Sequence, residues 1–171
     1  MTRLARRRAL VALGLATAVL SASLSLTGSR AAEPSLAGTW TLVAADDLHP
    51  DGTRTRAYGQ APKGRLTIDA QGRYSLQIFK AERARFAAGD KRKGTPAEFQ
   101  DAALGSSTHY GAVSVDAVAH VLTFRIDGAS YPNWEGSEQK RRYTLKDDEL
   151  SYQVPAAPDG TIPISVWRRE K

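Results

Sequence analysis

The feature that most constrains the fold of this chain is a series of short segments in which apolar and polar residues alternate. These segments are rich in Val, Ile, Thr, Tyr, Phe and Trp, and stretches of Gly, Asp and Pro separate them. Alternation with a period of two is typical of β-strands that have one buried face. We therefore predict eight strands, near residues 38–45, 64–69, 73–80, 108–115, 120–127, 137–146, 149–154 and 161–169.

Three junctions between these segments are short enough to be tight hairpins. Residues 69–72, 116–119 and 146–149 each join two alternating runs through a few polar or small residues. Hairpins between successive strands give an up-and-down antiparallel sheet, and closing that sheet into a barrel removes its exposed edges. The predicted fold class is all-β, an eight-stranded antiparallel up-and-down barrel.

One stretch departs from the β pattern, after the third predicted strand. Thr95 offers a capping hydroxyl, Pro96 follows it at the first helical position, and Glu98 completes a capping box. Gly105 is suited to end the helix. We predict one short inserted helix between these limits, preceded by a charged loop, and the insert is placed to cover one end of a barrel.

Residues 1–31 have the composition of an export signal. Four arginines precede an apolar run from Ala9 to about Leu20, and Ser29-Arg30-Ala31 places small residues where a signal peptidase reads them. We predict a cleaved signal peptide at 1–31 and one domain at 32–171, periplasmic or extracellular. A retained membrane anchor is disfavoured, because the run becomes rich in Ser and Thr before the roughly 20 apolar residues of a spanning helix.

Removal of that segment changes the charge balance of the protein. The whole chain has 24 Lys and Arg against 18 Asp and Glu, but five of the arginines lie in residues 1–31. The 19 cationic and 18 acidic residues that remain nearly cancel, so binding to nucleic acid or insertion into a membrane is not indicated. The chain has no Cys, so its stability is expected to come from apolar burial without disulfides.

The alternation also assigns each residue to a face of the sheet. One parity is apolar in every strand and the other is mainly Ser, Thr and Gln, so the apolar parity is expected to line the barrel. Arg141 on that parity could bind a carboxylate, and tyrosines a carbonyl or hydroxyl, of a small apolar or amphipathic ligand. The alternative is a lumen filled by its own side chains. The predicted ligand-binding residues, all polar-tipped and all on the lumenal parity, are Tyr74, His109, Arg141, Tyr143 and Tyr152.

Catalytic and metal-binding signatures are weak. The three histidines, His49, His109 and His120, form no metal-binding spacing, and the chain has no Cys and no G-x-S-x-G nucleophile motif. We expect no metal, no cofactor and no catalytic residue. Two alternatives stay open: an isomerase or cyclase that uses His109 or Arg141 in the same pocket, and a module that binds another envelope protein.

Several motifs together carry a family resemblance. Gly38-Thr39-Trp40 begins the first predicted strand, and further motifs follow in order at 62–64, 69–75, 86–90, 94–96 and 131–134. In these motifs the chain resembles bacterial lipocalin-like domains over nearly all of residues 32–171. The resemblance implies a small β-barrel with a pocket for a small apolar molecule, and no settled activity.

Two structural expectations follow from the resemblance. Lipocalins place the tryptophan of a G-x-W motif at the closed end of the barrel, beneath an arginine from the end of the chain. By analogy, Trp40 should close the barrel, with Arg168 stacked on its ring through a cation–π contact. The loop Tyr131-Pro132-Asn133-Trp134-Glu135 has two open interpretations, a rigid turn or part of the pocket mouth.

Overall fold

The computed structural model describes residues 35–171. The predicted signal peptide and its cleavage position after Ala31 lie outside the described residues. Within residues 35–171, no helix is long and apolar enough to span a membrane.

Every predicted strand is present within a few residues of its expected position. A two-residue strand, Arg54–Thr55, was not expected and lies in the connection after the first strand. The strands are β1 Gly38–Leu48, β2 Arg54–Thr55, β3 Lys63–Ile68, β4 Arg73–Phe79, β5 Ser106–Asp116, β6 Val121–Ala129, β7 Glu138–Lys146, β8 Glu149–Gln153 and β9 Ile162–Arg169.

The strands close into an antiparallel barrel, as predicted. From β3 to β9 each strand pairs with the next along the chain, and β1 pairs with both β3 and β9. The closing seam runs from Trp40 opposite Arg169 to Leu48 opposite Ile162. Eight strands therefore form the wall, and β2 pairs only with Asp47 and Leu48 at the end of β1.

The helix predicted from the capping box is α1, Pro96–Leu104, nine residues long. The Thr95 hydroxyl accepts a hydrogen bond from the amide of Glu98, and the Glu98 carboxylate accepts one from the amide of Thr95. None of its residues is buried. The helix thus depends on its caps and on the adjoining loop, which bonds back to it through Ala87 N and the Glu98 carboxylate.

The two ends of the barrel differ. Short hairpins at residues 69–72, 117–120 and 147–148 connect strands at one end, which also holds Trp40 and Arg169. The longer connections, residues 49–62, 80–105, 130–137 and 154–161, all lie at the other end. We call these the closed end and the open end.

The apolar parity lines the inside of the barrel, as predicted for most strands. Its fully buried members occupy the part of the lumen toward the closed end, and burial of each large side chain contributes roughly 1.5–3 kcal/mol. The residues with no measurable exposure are Trp40, Leu66, Leu122, Phe124, Ile126, Leu150 and Trp167.

The inside assignment of β9 was wrong by one residue along the strand. Alternation through Ile162, Ile164 and Val166 predicts that these apolar residues face the lumen. In the structure, Ser165 and Trp167 are the residues that lie opposite the core residues Tyr152 and Leu150, and both are buried. Because Ile164 on the other face is buried as well, the apolar alternation of β9 does not mark its lumenal face.

The same shift corrects the arginine at the closed end. Arg169, not Arg168, stacks on Trp40, with its guanidinium carbon 4.0 Å from the ring centroid. Its two terminal nitrogens donate to the carbonyl oxygens of Ala37 and Ser35, at 2.7 and 2.9 Å. Arg168 points outward, is exposed, and lies 3.8 Å from Glu149.

Candidate ligand-binding site

A cavity of about 300 Å³ occupies the lumen toward the open end. His109, Arg141 and Tyr152 line its inner part, and Tyr58 and Trp134, from the connections at the open end, line its outer part. The lumen is therefore filled toward the closed end and hollow toward the open end. Both sequence interpretations, a filled barrel and a pocket, describe part of it.

A line of polar side chains crosses the barrel at the base of this cavity. His109 projects from the middle of β5, where it faces Leu76 of β4. Its Nδ1 lies 2.8 Å from the hydroxyl of Tyr74, and its Nε2 lies 3.3 Å from Nη2 of Arg141. The same Nη2 donates to the side-chain oxygen of Gln139 at 2.9 Å.

The guanidinium fixes the protonation of His109. Arginine can only donate hydrogen bonds, so Nε2 must be the unprotonated acceptor, and Nδ1–H donates to the Tyr74 oxygen. Burial, and then the charge of Arg141, lower the pKa of His109 to about 3. Burial also raises the pKa of Tyr74. Both groups are therefore neutral across the physiological range of pH.

Arg141 carries the only charge in this network. It is 3% exposed, and among residues 35–171 no carboxylate lies within ion-pairing distance of it. Its guanidinium carbon lies 4.2 Å from the ring centroid of Phe124 and 5.1 Å from that of Tyr152. Its Nε has no hydrogen-bond partner. Aromatic faces stabilise a cation only partly, so this buried charge lacks its full compensation.

The five predicted ligand residues do not all reach the cavity. His109, Arg141 and Tyr152 line it, and the hydroxyl of Tyr152 is buried without a hydrogen-bond partner. Tyr74 lies behind His109 and contacts it from the side of the core. Tyr143 is buried in the core near His120, with ring centroids 5.9 Å apart, and does not line the cavity.

Three residues of the site were not among those predicted. Gln139 holds Arg141, and its parity, two residues away on β7, is the signal that could have identified it. Trp134 packs edge to face on His109 at 5.9 Å, so the loop at 131–135 helps to form the pocket mouth. Tyr58 comes from an irregular connection, where alternation gives no signal.

The connection that carries Tyr58 is fastened to the barrel by charge. Asp46 of β1 is 3% exposed and accepts hydrogen bonds from Arg54 Nε at 2.6 Å and Arg56 Nη1 at 3.4 Å. These bonds hold this side of the cavity mouth in place without a disulfide. Burial, and next the charge of Asp47, raise the pKa of Tyr58.

The described residues offer little for a metal ion. Within residues 35–171 no three His, Asp or Glu side chains are grouped closely enough to bind one. The polar groups at the base of the cavity instead suit an organic ligand with a hydrogen-bond acceptor.

The fold and the cavity define a class of protein: a small, closed, up-and-down β-barrel with a lumenal pocket at its open end. Residues 37–170 match the family model of the lipocalin-like domain. The chain belongs to the lipocalin-like domain family.

Two further comparisons add less. A search of curated proteins gave no match. A crystal structure of a mutant of the fluorescent protein UnaG is similar at 17% sequence identity, over 78% of this chain and 95% of that one, with a TM-score of 0.34. A similarity this low carries no argument about function.

Proposed function

We propose that this domain binds a small amphipathic molecule, with an apolar body and one anionic head group, in the cavity at the open end of the barrel. The observation that carries the proposal is Arg141, a buried guanidinium at the base of the cavity with no carboxylate partner among residues 35–171. A buried charge without a partner costs free energy. A ligand carboxylate would supply the missing charge and accept a strong hydrogen bond from Arg141.

The remaining surroundings support one head group on an apolar body. His109 is neutral, so Arg141 is the one cation that lines the cavity, and one anionic group balances it. Asp46 and Asp47 also line the cavity, and Asp46 is already paired with Arg54 and Arg56. Leu76, Ile78 and Val154 contribute apolar wall to the same cavity. Its volume is at the low end of the roughly 300–1,000 Å³ common for ligand pockets, which favours a short chain or a single ring system.

Binding of decanoate to the purified domain tests this proposal, with decanol as the uncharged analogue. Trp134 lies at the mouth, so its fluorescence reports occupancy, and calorimetry gives the affinity. We expect decanoate to bind at least about tenfold more tightly than decanol. Native mass spectrometry of gently purified protein should also detect a co-purified organic acid.

The matched variants are Arg141→Met and Arg142→Met. The two residues are neighbours on β7, but Arg142 is exposed on the outer face. The first change should abolish the preference for decanoate over decanol, and the second should leave it intact. Equal loss in both variants, or no binding of either probe to the unmodified protein, would refute the proposal.

The pKa values disfavour acid–base catalysis by the same pocket. A general base works best with a pKa near the working pH, whereas His109 has a pKa of about 3 and the pKa of Tyr74 is raised.

A module that binds another protein would be expected to have a continuous apolar patch on its surface. The exposed large apolar side chains, such as Phe99, Tyr110 and Val118, lie on separate elements. Neither alternative function gains a specific observation.

We also propose that the domain works outside the cytoplasm. The basic N-terminus, the apolar run and the small residues before Ala32 support this. Cell fractionation of the full chain, followed by N-terminal sequencing, is the test. We expect the mature protein in the exported fraction with Ala32 as its first residue, and an uncleaved cytoplasmic product would refute export.

A further inference from the structure

A second cleft, of about 620 Å³, lies on the outside of the barrel near its open end. Its walls are the start of β3, the end of β4, the loop that follows β4, and Ala102 of α1. Five of its lining residues are cationic and none is acidic. The cations are Lys63, Lys80, Arg83, Arg85 and Lys91.

These five cations lack ionic partners. Among residues 35–171 none of them forms an ion pair. Three nearby carboxylates are bound elsewhere: Asp90 pairs with Arg92, Glu98 accepts the amides of Thr95 and Ala87, and Asp101 accepts the amide of Ala84. A fourth, Glu82, is exposed and does not line the cleft. Because the domain as a whole is nearly neutral, this concentration of one sign is a local feature. A cleft lined by one charge focuses the field toward the opposite charge.

The cleft also has an aromatic wall held by contacts. The guanidinium carbon of Arg83 lies 4.7 Å from the ring centroid of Phe79. Phe86 packs edge to face on Phe99, with centroids 5.4 Å apart. Both Phe79 and Phe86 line the cleft, so a flat ring can pack beside the cations.

The loop that forms the cleft is fixed at both ends. The amide of Lys80 donates to the carbonyl oxygen of Gly105, and that of Ala81 donates to the carbonyl oxygen of Tyr58, both at 2.9 Å. Farther along, the Glu98 carboxylate binds the amide of Ala87 at 2.7 Å. The backbone beside the cations is thus ordered before any ligand arrives, which lowers the entropic cost of binding.

We propose that this cleft is a second binding site, for a small organic anion that carries at least two negative charges on a flat ring system, such as an aryl phosphate monoester. Several cations without acidic partners match the multiple charge, and the phenylalanine rings match the flat body. A concave site of this volume suits a small molecule rather than a flat anionic surface. The site is separate from the lumen and does not rest on the function proposed there.

Binding of 1-naphthyl phosphate, measured by calorimetry and mapped by amide chemical shifts, tests the proposal. Inorganic phosphate supplies the charge alone, and 1-naphthol the ring alone. We expect naphthyl phosphate to bind at least about tenfold more tightly than either. The shifts should cluster at residues 79–91, and affinity should fall as salt rises.

The variant for this site is Arg83→Gln/Arg85→Gln/Lys91→Gln, and its matched control is Lys140→Gln/Arg142→Gln/Lys146→Gln. Both remove three exposed cations, the second set from the outer face of β7. The first variant should lose about tenfold or more in affinity, and the control should change little. The lumenal variant Arg141→Met should bind naphthyl phosphate normally.

Three results would overturn the proposal. The first is no binding of naphthyl phosphate at millimolar concentration. The second is equal weakening by the two triple variants, which would indicate a general effect of net charge. The third is binding only to vesicles that contain anionic phospholipid, which would assign the cations to a membrane surface.

Discussion

At the scale of single residues, Arg141 is placed where it reduces the stability of the empty protein. A buried charge without a counter-charge loses its hydration, which costs free energy, and aromatic contacts offset only part of that cost. Its two hydrogen-bond partners, His109 and Gln139, are both neutral acceptors. The ligand proposed above would supply the counter-charge that Arg141 lacks.

The variant Arg141→Met should therefore stabilise the protein in the absence of ligand. Methionine has a similar length and no charge, and replacement of a buried ion pair by apolar residues can gain about 1–4 kcal/mol. The gain here should be smaller, because His109 Nε2 and the Gln139 side-chain oxygen lose their donor. Urea unfolding of the ligand-free domain measures the change, with Arg142→Met as the control near zero. A large loss of stability in Arg141→Met would instead make Arg141 a structural residue.

His109 should contribute a pH dependence to the free energy of unfolding. In the unfolded chain histidine binds a proton below about pH 6.5, whereas in the folded protein the pKa of His109 is about 3. Between these values the unfolded state holds more protons, so stability falls as the pH falls. The contribution is fully present above pH 6.5 and declines by roughly 1.4 kcal/mol for each pH unit below it.

Comparison of His109→Gln with the native protein isolates this effect. Glutamine retains hydrogen-bonding atoms but does not titrate, so its stability should decline less steeply between about pH 6.5 and 4.5. His120→Gln, at an exposed position, is the control and should follow the native curve. Parallel curves for all three proteins would contradict a neutral buried His109.

At the scale of elements, strands were predictable because one buried face forces alternation, and the helix because its caps are local. Residues 73–79 needed only their own pattern of Tyr74, Leu76 and Ile78 to be placed correctly. The inside assignment failed only in β9. There Ile164 and Val166 lie on the outer face, opposite Gln153 and Ser151, although they are apolar. Which face of such a strand points inward depends on how it pairs with its neighbours, and no local pattern carries that information.

The cavity was predictable only in part, for a related reason. Parity placed His109, Arg141 and Tyr152 inside, and all three line the cavity. It could not separate them from Tyr143, because depth along the barrel depends on strand register and not on parity. Residues on irregular connections, such as Tyr58, have no periodicity from which to be predicted.

The corrected register gives a prediction for the end of β9. Arg169→Met should lose about 1–3 kcal/mol, because it removes two hydrogen bonds to the carbonyl oxygens of Ala37 and Ser35 and the contact with Trp40. Arg168→Met should change stability by no more than about 0.5 kcal/mol, since its exposed ion pair is weak. Thermal unfolding of the two neighbouring variants decides the point, and the reverse order would restore Arg168 as the closing residue.

At the scale of the whole molecule, a closed barrel without disulfides unfolds as one unit, so occupancy of its lumen should be measurable as global stability. At decanoate concentrations about 100 times its dissociation constant, mass action adds about 2.7 kcal/mol. We expect a corresponding rise in Tm of several degrees for the native domain. Without ligand, Arg141→Met should have a higher Tm than the native domain, and decanoate should raise its Tm by less. An equal rise in both proteins would show that decanoate binding does not depend on the guanidinium.

The filled closed end of the barrel determines the direction in which a ligand enters and leaves the cavity. Trp40, Trp167 and their neighbours fill the closed end, so the cavity opens toward the other end of the barrel, where Tyr58 and Trp134 line it. A molecule whose head group rests on Arg141 must enter head first and leave tail first. Whatever receives it would first meet the apolar tail, while the charged group remains the last part to be released.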